Sequence, residues 1–474
     1  MTSTIKVNTI TTESGSTLTI GGCGKTVALA SGASQTGFGR EGSVDWQTGS
    51  IKTSTFTAVS GEGYFVDTSS GAVTANLPAG SAGAIVAFAD YTRTFANNSL
   101  TISPNGSNKI GGFAANATLD VNGQSATFVF VDATEGWINV QETQTSQAGQ
   151  SFITATGGTV TTVDTDFKVH TFTGPGTFCV SAIGNCASNN VVDYLVVAGG
   201  ASGGKGNSAG AGGGGAGGLR VSPGTSTGCW TASPRGASPA VALPVTVTGF
   251  PVTVGAGGAS IPSGGNAGNP GSNSVFSGSS TITSAGGGGG SGHCNAALAG
   301  GSGGGGNPIS TPVFPAGAGN TPPVNPPQGE PGGTGVSPGG GYPSAGGGGA
   351  TQAGFSAPPN NTTAGRAGGA GAQVNICGNN YHWAGGGGGS AWTSQCGGAG
   401  GAGGGGGGAG QAGGGAGNTQ GINNGAAGST PVQGTGGAGG ANTGGGGGGS
   451  NASGSPAVSG AGGSGIVIIR YKFQ

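Results

Sequence analysis

Val191-Val192-Asp193-Tyr194-Leu195-Val196-Val197 and the terminal Ile466-Val467-Ile468-Ile469-Arg470-Tyr471-Lys472-Phe473 decide the reading of the fold. Both are near-continuous apolar runs of strand length, the composition of strands covered on both faces. Everything between them is dominated by glycine. A disordered insert needs no such closure, so the chain is read as leaving a sheet at Gly199 and returning to it at Ile466. Three more segments fit that sheet frame. Phe167–Phe172 alternates apolar and polar residues, Thr177–Ile183 has strand composition, and Val245–Val254 supplies another β segment.

Runs such as Gly286–Gly290, Gly385–Gly389, Gly403–Gly408 and Gly444–Gly449 have two readings. One is flexible linker. The other is a bundle of threefold helices of polyproline-II type, packed so closely that backbones bond to one another, which the missing Cβ permits. From Gly199 to Gly465 the only charged residues are Lys205, Arg220, Arg235, Glu330 and Arg366. A solubilising linker would carry more charge, which favours the packed lattice.

Outward from this region the chain divides further. Residues 42–143 carry candidate strands at Thr53–Val59, Gly63–Asp67, Ala84–Asp90, Ser99–Ser103, Ala126–Asp132 and Trp137–Gln141, with turns at Pro104-Asn105-Gly106 and Asn122-Gly123. No amphipathic helical pattern interrupts them, which predicts an all-β, sandwich- or barrel-like domain holding most of the acidic residues. Residues 144–157 read as a polar linker, and 158–474 as the glycine-rich domain, its β frame at 158–198 and 466–474. Residues 1–41 hold short alternating strands, Thr4–Asn8 and Lys25–Leu29, too few to bury their apolar faces without partner chains.

Composition narrows the function classes. The 474 residues include 119 Gly and 24 Pro, only 6% are charged, and the net charge is −1. Glycines in runs exclude collagen. The charge balance gives no electrostatic attraction to nucleic acid or anionic lipid. No stretch reaches the length of a membrane-spanning helix, and the N-terminus has no secretory h-region, so synthesis inside a cell is expected. G-x-G-x-x-G recurs through composition alone and opens no helix. Paired carboxylates for glycan cleavage are absent from the glycine region, and Asp132 with Glu135 reads as a turn. No enzymatic activity and no cofactor are expected. The cysteines, Cys23, Cys179, Cys186, Cys229, Cys294, Cys377 and Cys396, match no metal-finger spacing, and His293-Cys294 with Cys377, His382 and Cys396 is a weak metal set beside the simpler reading of buried thiols or late disulfides.

Asn375-Ile376-Cys377-Gly378-Asn379-Asn380-Tyr381-His382-Trp383, with Trp392 close behind, is the richest polar and aromatic cluster, and polyglycine flanks it. Tyr and Trp beside amides suit saccharide stacking or a protein hot spot on an exposed loop tip. The alternative is that these rings cap the lattice or fill an assembly axis. Trp230, Tyr342 and the Pro-rich loop Asn320–Pro331 are weaker candidates.

Ser3–Ile10 with Gly37-Phe38-Gly39-Arg40 resembles the N-terminus of tail fibre proteins of tailed bacteriophages, especially those of marine bacteria. Trp46, Lys52–Val59, Gly63-Tyr64-Phe65, Asn76-Leu77-Pro78, Thr101–Ser107 and Val131–Trp137 resemble a domain repeated in those fibres. Val192–Gly200, Ala216-Gly217-Gly218-Leu219-Arg220 and Gly465–Tyr471 are similar to their glycine-rich adhesin domain. The resemblance implies an elongated homotrimer assembled in the host cytoplasm. Its N-terminus, through Ile5, Val7 and Ile10, would attach to tail adaptor or nozzle proteins of the virion. Its polyglycine-II tip would bind a bacterial surface glycan or outer-membrane protein through Asn379, Asn380, Tyr381, His382, Trp383, Trp392, Trp230 and Tyr342, without nucleic acid or membrane insertion. The Pro-rich loops and the seven cysteines depart from the pattern and leave the receptor class open. A structural or self-associating cell-surface protein is the second reading.

Overall fold

The computed structural model describes residues 44–473 except 142–151, 185–189, 208, 225–229, 231–232, 237–239, 294, 308–314, 336–342, 359–363, 393, 431–433 and 452–456. The strands expected within 1–41, with Ile5, Val7 and Ile10, lie outside the described residues, as do Tyr342, Cys23, Cys186, Cys229 and Cys294. The protein is all-β, with 27% of residues in strands, several sheets and, among the described residues, no closed barrel and no α-helix. Two compact units are present, Met1–Asn108 with Leu119–Thr143, and Lys109–Thr118 with Gln144–Gln474.

The strands before residue 140 are β1 (Asp45–Trp46), β2 (Phe56–Thr57), β3 (Glu62–Val66), β4 (Val73–Asn76), β5 (Ile85–Asp90), β6 (Leu100–Ser103), β7 (Ala117–Leu119), β8 (Ser125–Phe130) and β9 (Trp137–Asn139). β1, β3 and β5 pair in parallel, and so do β2, β4 and β6. The chain therefore winds as a coil in which each strand's return path is a strand of the facing sheet. Parallel strands normally need a helical crossover; here the opposite sheet replaces it. Phe56 of β2 meets Tyr64 of β3 at 5.0 Å and Phe88 of β5 at 6.3 Å between ring centroids, which joins the two faces. The Thr68 and Thr94 hydroxyls bond at 2.8 Å where successive turns stack. β8 and β9 then add antiparallel to β5. Val73–Asn76, hidden in sequence among Ser, Gly and Pro, is a strand with Val73 and Ala75 buried.

The second unit's strands are β10 (Thr154–Thr156), β11 (Thr159–Val163), β12 (Phe167–Phe172), β13 (Gly176–Ala182), β14 (Val191–Val197), β15 (Leu219–Val221), β16 (Leu243–Pro244), β17 (Gly249–Thr253), β18 (Ser274–Ser277), β19 (Thr281–Ser284), β20 (Ala372–Val374), β21 (Tyr381–Trp383) and β22 (Ile466–Lys472). One sheet runs β11-β12-β22-β14-β15, and the other β10-β13-β17-β18-β19. β22 lies between β12 and β14, with Leu195 opposite Ile468. Both its faces are covered. Val467, Ile469 and Tyr471 pack between the sheets with Phe178, Phe250 and Phe276, whereas Ile466 and Ile468 pack on the other face with Trp383 and Trp230. The expected linker 144–157 is shorter than its polarity suggested. Ile153 is buried between the sheets and Thr154–Thr156 pairs with β13, because β13 offers an open edge that hydroxyl-bearing residues can join.

The glycine runs leave and re-enter this frame as an ordered lattice. Gly212, Gly215 and Gly218 donate their N–H groups to Ser291, Gly288 and Ala285; Gly213 and Ala216 donate to Ala345 and Gly348; Gly214 and Gly217 donate to Gly447 and Gly444. The partner changes with a period of three, the signature of a threefold extended helix. The same run accepts from Gly204, Ala201 and Ala198, from Gly305 and Ser302, and from Gly387. It thus has six neighbours. Each neighbour also bonds to the next, through Gly287 to Gly199, Gly288 to Ser302, Ala345 to Gly306, Gly347 to Gly387, Gly446 to Gly385 and Gly447 to Ala201, closing a hexagonal ring. Glycine is required sterically. A Cβ on Gly214 would overlap the carbonyl of Ala201, and one on Gly347 would overlap the carbonyl of Gly214. Runs alternate in direction, so turns lie either at the frame end or at the far end of the lattice.

Candidate functional site

The aromatic cluster does not form a loop tip. Asn375–Trp383 belongs to a hairpin in which Ala372, Gln373 and Val374 face Trp383, His382 and Tyr381. Pairing sorts its side chains. Trp383 is 0% exposed, and its Nε1–H donates to the Val374 carbonyl at 3.1 Å. Tyr381 meets Trp383 edge-on at 5.9 Å, and Trp230 is buried in the same core. Exposure expected for Trp383 and Trp230 is therefore corrected: both cover the outer face of the central sheet. Arg470, buried in β22, donates to the Ile376 carbonyl at 3.3 Å and pairs with Asp164 at 3.0 Å, fixing the hairpin loop. Gly378, with φ of 88°, sits where a Cβ would press on Val163.

Asn379 and Asn380 are exposed at the turn, and His382 faces outward beside Gln373. The His382 amide donates to the Gln420 carbonyl at 2.9 Å, and partial burial holds its imidazole pKa below the usual value. The hairpin's outward face thus has amides and the imidazole of His382, while the rings of Tyr381 and Trp383 turn toward the sheet.

Trp392 is elsewhere. It follows the run Ala384–Ala391, whose residues bond in steps of three to Gly403, Gly406 and Ala409, so roughly 20 Å of threefold helix separates it from Trp383. The sequence neighbours Trp383 and Trp392 occupy opposite ends of the lattice. The same geometry divides the cysteine and histidine set, since Cys377 and His382 lie at the frame end, and His293 and Cys396 at the far end. Among the described residues no group of three or more His, Cys, Asp or Glu could hold a metal. Asp132 caps a turn, its Oδ1 accepting the N–H groups of Thr134 and Glu135 at 2.8 Å.

The far end has its own construction. The runs end in Ser291, Asn307, Ser344, Ser390 and Asn451, all buried. Ser390 Oγ accepts the Ala211 N–H at 2.7 Å, Asn307 Nδ2 donates to the carbonyls of Gly210 and Gly292, and Asn451 Nδ2 donates to that of Ala391. The side chains of Ser390, Asn307 and Asn451 thus complete backbone pairing where the threefold pattern stops, as caps do on helices. Beyond them stand side chains that reach solvent: Asn207, Asn266, Asn295, half-buried His293 and Trp392, and Gln395. Asn295 Nδ2 and the His293 amide both donate to the Gly265 carbonyl, gathering these turns together. Sequence reasoning missed Asn207, Asn266 and Asn295. Their signal was position, since each sits beyond the end of a run.

His170 is structural. Its ring is buried between the sheets, Nδ1 lies 2.7 Å from the Gly157 carbonyl and Nε2 lies 3.2 Å from the Tyr471 hydroxyl. Desolvation lowers its pKa and pushes that of Tyr471 up to about 12.

Comparison with curated proteins gives no match. A family model described as a glycine-rich domain matches residues 171–430, more than half of the chain. Its span takes in β13 to β21 and most of the lattice, and on that match the chain belongs to the glycine-rich domain family.

Proposed function

We propose that the protein is a non-catalytic bacteriophage tail fibre, a homotrimer attached to tail adaptor or nozzle proteins by its N-terminal residues, and that the far end of its lattice binds a receptor on the host surface. One observation carries this reading. The runs use nearly all of their backbone groups on one another and, glycine apart, hold mainly small buried residues such as Ala201, Ser202, Ala216 and Ala345, so larger polar side chains gather toward their ends. A scaffold of this kind holds short loops apart and fixed while leaving their residues free to differ. Preorganised loops lose little entropy on binding, and multiple copies turn weak contacts into firm adhesion. The sequence resemblance supplies the viral setting.

Trp392 is the aromatic group best placed for contact, with Asn207, Asn266, Asn295 and His293 as its polar surroundings. Asn379, Asn380 and His382, at the frame end, are secondary candidates. The deciding experiment is electron microscopy of virions labelled with gold-conjugated antibody to residues 158–474. Label is expected on tail fibres; label confined to the surface of uninfected cells would overturn the reading in favour of a cell-surface protein.

A further inference from the structure

Charge is distributed unevenly along the lattice. Glu330 is the only acidic residue from Gly199 to Gly465, and Arg235 pairs with it at the frame end, where Arg235 also donates to the Pro327 carbonyl at 3.1 Å. The other acids of the described second unit, Asp164, Asp166 and Asp193, belong to the frame. Two cations stand toward the far end without a carboxylate. Lys205 is fully buried in the last turn of its run, its amide donating to the Asn266 carbonyl and its Nζ to the Ala457 carbonyl. Arg366 lies beside Gly389, whose N–H donates to the Arg366 carbonyl at 2.8 Å, one threefold turn from Trp392. That turn is about 9 Å long, close to the reach of an arginine side chain. Arg366 Nε is buried and has no hydrogen-bond partner.

A guanidinium partly withdrawn from water with no counter-charge is costly. The frame acids are roughly 20 Å away, more than two Debye lengths at physiological salt, and give it little compensation. An anion arriving at the far end would. We infer that the far end takes the acidic groups of a surface polysaccharide: a carboxylate or phosphate accepts from Arg366, in the field of Lys205, while Trp392 stacks on an adjacent sugar ring. This rests on the far end being the binding end. Arginine suits the role because its planar fork matches both anions.

The test uses the full chain and three immobilised polymers: polygalacturonate for carboxylate, a glycerol-phosphate teichoic acid for phosphate, and dextran as the neutral control. The parent protein is expected to bind at least one anionic polymer and to bind dextran far less. Raising salt from about 20 to about 200 mM should weaken that binding. Arg366→Gln should weaken it by about tenfold or more, with Arg366→Lys retaining part of it. Unchanged thermal unfolding of Arg366→Gln excludes a folding defect as the cause. Dextran bound as well as the anionic polymers, no anionic polymer bound at the lower salt, or anionic binding indifferent to Arg366→Gln would each overturn the inference. Dextran binding that Trp392→Ala abolishes would leave the far end as the binding end while removing the preference for anions.

Discussion

Gly214 is at the centre of the hexagonal ring, and replacing it by alanine tests the lattice directly. The new Cβ would meet the Ala201 carbonyl and lie 2.6 Å from Ser202 O and 2.7 Å from Ser202 C, where ordinary contact begins at 3.4 Å. The obstacle is backbone, so no side chain can swing aside. Runs 198–204 and 212–218 must part by roughly 1 Å. Three bonds tie those runs, from Gly204 to Gly212 at 3.0 Å, Ala201 to Gly215 at 2.9 Å and Ala198 to Gly218 at 3.0 Å, and all three stretch beyond hydrogen-bonding range. At about 1 kcal/mol each, with a further penalty for buried groups left unpaired, the loss is about 3–5 kcal/mol. Differential scanning calorimetry should show the second unit melting roughly 10 °C lower. Gly174→Ala is the control, because a Cβ there meets nothing within 4 Å; its melting temperature should stay within about 1 °C of the parent or rise slightly. Equal melting temperatures for Gly214→Ala and the parent would mean that the runs are not packed as described.

Two further outcomes are expected. Folded His170 holds a pKa below its ordinary 6.5, so the unfolded chain binds the proton more readily; its contribution to stability is complete above pH 6.5 and is lost as pH falls toward the lowered folded value. Denaturant titrations at a series of pH values should show the His170→Gln variant losing less stability on acidification than the parent, and parallel losses would remove His170 from the acid response. Trp383→Ala should cost about 3–5 kcal/mol, as for a large aromatic cut out of a core, whereas Trp392→Ala should cost under about 1 kcal/mol. Similar unfolding midpoints for the two variants would contradict their placement at core and surface.

The frame was legible because β14 and β22 are near-continuously apolar, a pattern that a covered central strand sustains. The lattice was legible as a preference, through its shortage of charge. The direction of the side chains in Tyr381-His382-Trp383 was not. Alternation says that 381 and 383 share a face, but only the pairing of Val374 with Tyr381 and Ala372 with Trp383 turns that face toward the sheet. Nor does the sequence reveal that Trp392 is remote from Trp383, because distance along a polyglycine run depends on whether the run is extended or folded back. In the first unit, parallel pairing was hidden since strand composition does not encode the direction of the neighbour. The turns themselves were readable at Asp132 and at Asn122-Gly123.

Glycine loses more conformational freedom on folding than any other residue, so a lattice of glycine runs has no stability to spare. Backbone bonds compensate only when nearly every N–H and C=O in a run is paired at once, which makes the lattice depend on exact spacing at its boundary. The frame supplies that boundary. Ala198 continues from β14, Gly218 leads into β15, Ala285 follows β19, Ala384 follows β21 and Gly465 precedes β22, so strands spaced by their own ladders set the starting points of the runs. At the other boundary Ser390, Asn307 and Asn451 supply the bonds that a further turn of lattice would have made. Between these boundaries the packing admits mainly glycine, alanine and serine, and outside them side chains are free to vary. Function that needs varied chemistry is thereby driven to the run ends, and among the described residues the far end carries the half-buried Trp392 with Lys205 and Arg366, neither paired with a carboxylate, behind it.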